Sequence, residues 1–336
     1  MQLIVDIRGS FVGKKSERLR VTVKNEVVSE TPLFNLESVL IASSGVSISA
    51  DAIEACTIAG IPIDFVDWRG APYATLISSE LTGTVQTRRA QLKAYDDERG
   101  VQLAKAFAGG KLQNMAQLVR YSAKYRKSID PDAHAYAQEA YRMIMDHVIE
   151  IQRLDGSTID AIRFQLLSAE GRGSQYYWDA MGKLLLADVA WPGRRTEGAT
   201  DLVNALLNYG YGILRTHVQR AIILAGLDPF GGFIHVDRPG KHSLVFDLME
   251  EFRQMVVDRT VWAMLNQGMK LQLTEEGRLD DESRRALAER IFKRLEGHEP
   301  YAGRQHQLRV ILQMQARRIA TFVRGQGPYA PFVGRW

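Results

Sequence analysis

Apolar positions along the chain change their rhythm near residue 82. Before it they alternate with polar residues or gather in short runs; after it they return every three or four residues, the spacing of helices packed on one face. Leu3-Ile4-Val5 opens the first region. The alternating stretch Arg18-Leu19-Arg20-Val21-Thr22-Val23, the turn Lys24-Asn25 and the return through Val27-Val28 predict a hairpin. Ser38 to Ala42 is short and apolar, as a buried strand requires. Ser49 can cap a short helix that runs to Ala59 and stops at Gly60. Ile61 to Val66 resumes as strand, and Trp68-Arg69-Gly70 turns into Tyr73-Ala74-Thr75-Leu76. The pattern predicts an α+β chain: a small N-terminal β-strand domain over 1–82, a larger all-α domain over 83–324, and a flexible Gly/Pro tail over 325–336.

Within the second region, 84–128 is rich in helix formers and basic residues, and Pro131-Asp132 opens a helix that reaches Arg153. Ser157 or Thr158, with Asp160 behind it, has the form of an N-terminal cap. The helix that follows carries Ile162, Leu166, Leu167 and Ala169, then Glu170-Gly171-Arg172-Gly173. Glycine inside a helix costs roughly 1 kcal/mol, so two beside a carboxylate point to close approach of a neighbouring helix or a substrate. Thr200 and Asp201 start a long helix to Ala225, Gly226 to Pro229 close it, and one or more basic helices are predicted from Ser283 to Arg318.

Between these helices lies the stretch that concentrates the chemistry. Gly231-Gly232-Phe233-Ile234-His235 runs through Arg238-Pro239-Gly240-Lys241 into a helix with Val245, Leu248, Met249, Phe252 and Val256 on one side. Asp247 and Glu250 stand one turn apart on that helix. A helical carboxylate near a loop histidine is half of a metal site. Taken singly, Glu170 reads as an ion-paired surface acid, and His235, His217 and His242 read as packing or surface histidines.

Charge narrows the partners. The 43 Lys and Arg against 39 Asp and Glu give a formal +4 over 336 residues, but the stretch from Arg284 onward alone carries an excess of +8. That asymmetry favours a polyanion such as nucleic acid, or else a solvated helical face. The single Cys56 excludes an internal disulfide and a Cys-clustered zinc site, and its apolar neighbours mark it as a structural thiol. No apolar run approaches a membrane span and the N-terminus lacks a signal-peptide pattern, so a cytoplasmic protein is expected. No P-loop, dinucleotide glycine pattern, His-Glu-x-x-His helix or Gly-x-Ser-x-Gly elbow occurs, which argues against an ATP-driven enzyme.

The order of motifs supplies more. Glu170 followed by Ser174 to Trp178, Asn204 to Leu214, Leu227-Asp228-Pro229-Phe230-Gly231-Gly232-Phe233-Ile234-His235, and Ser243 to Arg253 together resemble the CRISPR-associated spacer-acquisition integrase and endonuclease family (Cas-one). Gly45 to Ser49, Gly60 to Phe65, Arg88-x-x-Gln91 and Lys111-Leu112-Gln113-Asn114 add weaker support.

The resemblance implies a dimerising β domain and a helical catalytic domain. It implies Glu170, His235 and Glu250 as catalytic residues and ligands of Mg²⁺ or Mn²⁺, with Asp247 as an auxiliary acid; among Asp247, Glu250 and Glu251 it favours Glu250 as the direct ligand. Asn204, Tyr209 and Tyr211 become candidate walls of the site, and Arg238, Lys241 and Arg253 candidate contacts to DNA phosphates. The implied reaction is attack of a DNA 3′-hydroxyl on a phosphodiester of double-stranded repeat DNA. The implied assembly is a homodimer, two of which are bridged by a dimer of the small Cas-two protein, with no membrane. The competing readings are a metal-dependent nuclease for branched DNA or RNA and a non-catalytic basic nucleic-acid scaffold.

Overall fold

Lys24 and Asn25 both adopt left-handed backbone angles, φ 49° and 68°, the paired positive values a tight hairpin turn demands. They join two strands of the computed structural model, which describes residues 2–68, 70, 72–76, 85–124 and 126–335. Arg69 of the expected turn and the expected domain boundary at 82 lie outside the described residues. The chain divides into two compact units, Met1–Thr82 and Gly83–Trp336.

The first unit contains β1 (Gln2–Val5), β2 (Ser10–Lys15), β3 (Arg18–Val23), β4 (Glu26–Pro32), β5 (Ser38–Ile41), β6 (Ser47–Ile48), α1 (Ala50–Ile58), β7 (Ile63–Val66) and β8 (Pro72–Leu76). They form two four-stranded sheets, ordered β1-β5-β7-β8 and β4-β3-β2-β6. The first is parallel except for its β7–β8 edge; the second is antiparallel except where β6 joins β2. Ser49 caps α1, its Oγ accepting from the Ala52 N–H, and Gly60 with φ +66° turns the chain out of it. Val12, Leu19, Val39, Ile63 and the thiol-bearing Cys56 form this unit's own buried core.

The second unit is helical: α2 (Val85–Ala94), α3 (Glu98–Ala123), α4 (Pro131–Arg153), α5 (Ile159–Lys183), α6 (Leu202–Leu224), α7 (Ser243–Met249), α8 (Arg259–Asn266), α9 (Asp281–Glu296) and α10 (Leu308–Val323). A π-helical turn at Gln254–Asp258 carries the chain from α7 towards α8. The α4 span matches the sequence pattern, with Asp130 capping Ala133 and Pro131 in the first turn. Among the described residues no helix is long and apolar enough to cross a membrane.

The structure adds to one expectation and corrects another. The basic stretch 283–318 holds two helices, α9 and α10, but an unexpected antiparallel hairpin of β9 (His298–Tyr301) and β10 (Arg304–Gln307) lies between them. Ala302 and Gly303, at φ 50° and 81°, make its turn, a conformation that helical periodicity cannot reveal. The tail is not loose. Phe332 is 2% exposed and stacks on Phe252 at 5.2 Å, and Gln315 donates to the Ala330 carbonyl at 3.1 Å. Glycine and proline content implied flexibility, but a buried aromatic and paired backbone groups fix the segment.

The two glycines beside Glu170 differ in purpose. A Cβ on Gly173 would stand 2.7 Å from a Leu112 methyl, so its absence lets α5 close onto α3, whereas a Cβ on Gly171 would meet nothing within 4 Å. Gly171→Ala should therefore raise unfolding stability by about 0.5–1 kcal/mol, through helix propensity alone. Gly173→Val should lower it by about 1–3 kcal/mol through overpacking. Denaturant titration of both variants decides this; equal effects would show that the close approach does not govern the pair.

Candidate active site

The loop that carries His235 is set by a glycine, a glutamine and an aspartate. Gly232 passes so close to α7 that a Cβ there would lie 2.7 Å from the Ser243 backbone and 2.9 Å from Asp247 Oδ2, which excludes any side chain. Buried Gln91 of α2 donates through Nε2 to the Asp228 and Gly231 carbonyls, at 2.9 and 2.6 Å, and accepts from the Asp228 N–H at 2.8 Å. Asp247, fully buried, accepts from the backbone N–H groups of Phe233, Ile234 and His235 at 2.5, 3.1 and 3.2 Å. Those three bonds satisfy amide donors that a sharply turning loop would otherwise bury unpaired.

Asp247 also fixes the imidazole. Its Oδ1 lies 2.6 Å from His235 Nδ1. A carboxylate at Nδ1 holds the proton there and leaves the Nε2 lone pair as the basic nitrogen, the arrangement typical of a ligating histidine. Asp247 thus acts through His235 and the loop.

Glu170 on α5 and Glu250, at the C-terminal end of α7, meet at the Lys111 ammonium of α3. Lys111 Nζ lies 2.5 Å from Glu170 Oε1 and 3.0 Å from Glu250 Oε2. Burial works to raise the Glu250 pKa, yet Arg253, Lys111 and His235 outweigh it and hold the carboxyl at about 2. Glu250 is therefore ionised at any working pH. Lys111 stays protonated on the same terms, its burial overcome by the two carboxylates.

Glu251, next in sequence, faces away. It accepts from Tyr329 Oη at 2.5 Å, Gln315 Nε2 at 2.7 Å and the Phe332 N–H at 2.8 Å, with burial pushing its pKa up to about 7. Of the three acids only Glu250 shares a cation with Glu170.

The other predicted residues divide. Tyr211 belongs to the neighbourhood: its ring lies 4.8 Å from the Arg253 guanidinium, and its hydroxyl donates to buried Asp258 at 2.5 Å. Tyr209 is buried in the helical core. Asn204 is buried in bonds to the Gly193 carbonyl, Asp201, Arg194 and the Arg195 N–H, which pin the loop before α6. Arg253, a candidate contact to DNA phosphates, turns inward to lie 3.2 Å from Glu250. Arg238 is exposed, and Lys241 is half-buried with its ammonium 5.9 Å from the Phe246 ring.

Sequence reasoning singled out neither Lys111 nor Asp258 as part of the site. Lys111 had a weak signal, standing one turn before Asn114 in a motif already noted. Asp258, held by Tyr177 and Tyr211 at 2.6 and 2.5 Å, had none, because the π-helical turn shifts it off the 3.6-residue rhythm.

Whether these groups suit a hard divalent ion can be judged from the residues. Among the described residues no three His, Cys, Asp or Glu side chains converge as they stand to hold a metal, since Lys111 lies between the two glutamates. The donor chemistry nonetheless fits: two carboxylates and an imidazole with its basic nitrogen left available suit Mg²⁺ or Mn²⁺. Glu250 Oε2 is buried with no hydrogen-bond partner among the described residues; Lys111 reaches ion-pair distance of it without hydrogen-bond geometry. A buried carboxylate oxygen left in that state is suited to a cation.

Comparison with known proteins bears on this arrangement. The chain is 36% identical over 347 residues to the CRISPR-associated endonuclease Cas1 1 of Archaeoglobus fulgidus, covering 100% of both chains. Its fold is similar to that of a casposase bound to integration product, with a TM-score of 0.82 and 22% identity over 98% of this chain and 92% of that one. It is also similar to a Cas1 protein from Thermotoga maritima, with a TM-score of 0.77 and 19% identity over 99% and 100%. Residues 3–293 match the family described as CRISPR associated protein Cas1, and with the full-length likeness to the Archaeoglobus protein this places the chain in that family.

Proposed function

We propose that the chain is a metal-dependent DNA integrase of CRISPR adaptation, with Glu170, His235 and Glu250 as its catalytic set. The observation that carries the reading is the convergence of Glu170 and Glu250 on one ammonium, with His235 Nδ1 held by Asp247 nearby. The endonuclease name of the Archaeoglobus relative supports phosphodiester chemistry. A Mg²⁺ or Mn²⁺ ion on these three side chains would polarise a phosphoryl oxygen and ease loss of a hydroxyl proton.

The chain's own residues supply the rest. Glu250, kept anionic by Arg253 and Lys111, needs no deprotonation before it can serve as a hard ligand. Lys111 and Arg253 bring positive charge to a place where a phosphoryl group gathers negative charge, and their half-buried setting strengthens that field. The reaction joins a DNA 3′-hydroxyl to the phosphorus of a target phosphodiester, with the displaced 3′-oxygen taking up a proton, so no ATP is required.

Glu170→Ala, His235→Ala and Glu250→Ala should each lower strand joining about 100-fold or more, and a chelator should abolish it. Joining retained by all three variants would overturn the assignment. A hydrolytic nuclease reading shares the site and is favoured by the relative's name. Cleavage without joining, on one labelled substrate bearing a 3′-hydroxyl, would establish it in place of integration.

DNA contact is supported by a cleft of about 850 Å³ whose lining includes Gln117, Arg120, Tyr301, Arg304, Gln305 and Arg335 and no acid. Arg120→Ala with Arg304→Ala should weaken DNA binding and reduce the slope of log K against log salt by about 2. An unchanged slope would exclude the cleft from phosphate binding.

The small unit is the proposed dimerisation domain, and a small Cas-two dimer the proposed bridge between two such dimers. Phe34, Ile58 and Tyr73 of this unit are 85%, 81% and 68% exposed, large apolar side chains of the kind a second subunit would cover. Light scattering should give twice the 37.8 kDa chain mass, and Phe34→Asp with Tyr73→Asp should return monomer. A monomeric wild type would refute the dimer.

A further inference from the structure

Asn114 stands one turn beyond Lys111 on α3 and is completely buried. Its carboxamide makes three bonds. Nδ2 donates to the Glu251 carbonyl at 3.0 Å and to the Phe332 carbonyl at 2.8 Å, while Oδ1 accepts from the Gly334 N–H at 2.9 Å. One side chain thus ties α3, the end of the acid-bearing helix and the C-terminal tail together.

The tail grips the same two elements at further points. The Phe332 N–H and the Tyr329 hydroxyl donate to the Glu251 carboxyl, at 2.8 and 2.5 Å. The Phe332 ring lies parallel to that of Phe252, with 12° between planes. Pro331 fills the space above Gly110, where a Cβ would come within 2.6 Å of it. Gly334 packs against the Met255 side chain, which would have to move to admit a Cβ there. The tail therefore touches the sequence neighbours of both Lys111 and Glu250: Gly110 and Asn114 on one element, Glu251 and Phe252 on the other.

We propose that residues 329–334 are a positioning strap of the active site, setting the separation between the Lys111 and Glu250 elements and with it the space a hard divalent ion can occupy. The inference rests on Glu170, His235 and Glu250 being the metal-holding set. Its physical ground is that the strap's bonds are buried and mutually dependent. Without the tail, Asn114 loses two of its three partners and Glu251 keeps only Gln315 in an apolar interior, so both elements must shift to find water or new donors. A binding constellation needs its side chains held within about 0.5 Å, so a small relaxation of that kind is felt at the ion. Tyr329 and Phe332 act on the ion site through Glu251, Asn114 and Phe252; they are positioning residues.

Mn²⁺ binding, followed by electron paramagnetic resonance of the free ion, tests this without DNA or turnover. The wild type is compared with Phe332→Ala and with a chain ending at Gln326. Circular dichroism and thermal melting identify the variants that keep their helices. The expected result is a Kd for Mn²⁺ raised ~10-fold or more in each folded variant, and recovery of the truncated chain's affinity on adding a peptide of residues 327–336. Should the truncated chain fail to fold, Phe332→Ala gives the same comparison. Wild-type affinity in a folded variant, while Glu250→Ala abolishes binding, overturns the strap alone. A wild type that binds no Mn²⁺, or whose binding survives Glu250→Ala, overturns the metal-site reading and the strap with it.

Discussion

Two carboxylates from different helices share one ammonium in a largely buried place, and much of the helical unit is arranged to make that tolerable. At an effective dielectric near 20, unit charges 4 Å apart interact by about 4 kcal/mol, so Glu170 and Glu250 without compensation would push α5 and α7 apart. Lys111 supplies the compensation, and Arg253 a second positive charge against Glu250. The same charge balance keeps Glu250 ionised although burial alone would protonate it. A cluster of this sort gains little as a stability device, because desolvation offsets most of the attraction.

Close packing places the charges. The missing side chain at Gly173 lets α5 approach Leu112 of α3, next to Lys111. The missing side chain at Gly232 lets the loop before His235 lie on α7, where Asp247 captures three backbone N–H groups and the imidazole. Gly110 admits Pro331 of the tail. At each contact a glycine exchanges helix propensity or side-chain contact for a shorter distance between the elements that bear these side chains.

Much of this was legible in the chain. The change from alternating to helical periodicity separated a strand-rich N-terminal region from a helical one, and Ser49, Pro131-Asp132 and Thr200-Asp201 marked where helices start. The ordered motifs around Glu170, Gly231 to His235 and Ser243 to Arg253 identified the family. The hairpin at 298–307 was missed because it is short and flanked by strong helix formers. The docked tail was missed because glycine and proline signal a break in regular structure and say nothing about burial.

The sequence by itself determined the local conformations, the division in character near residue 82 and the residue types available for chemistry, because these depend on nearest neighbours and on periodicity. Only the tertiary structure decided what each acid does. Glu250 and Glu251 are adjacent in the chain yet project about 100° apart around a helix, one to Lys111 and Glu170, the other to the tail. Asp247, a turn earlier, is spent on the loop and on His235. The direction of a side chain acquires meaning only from what packs opposite it, and Lys111, Asn114 and Phe332 come from segments far away in the chain.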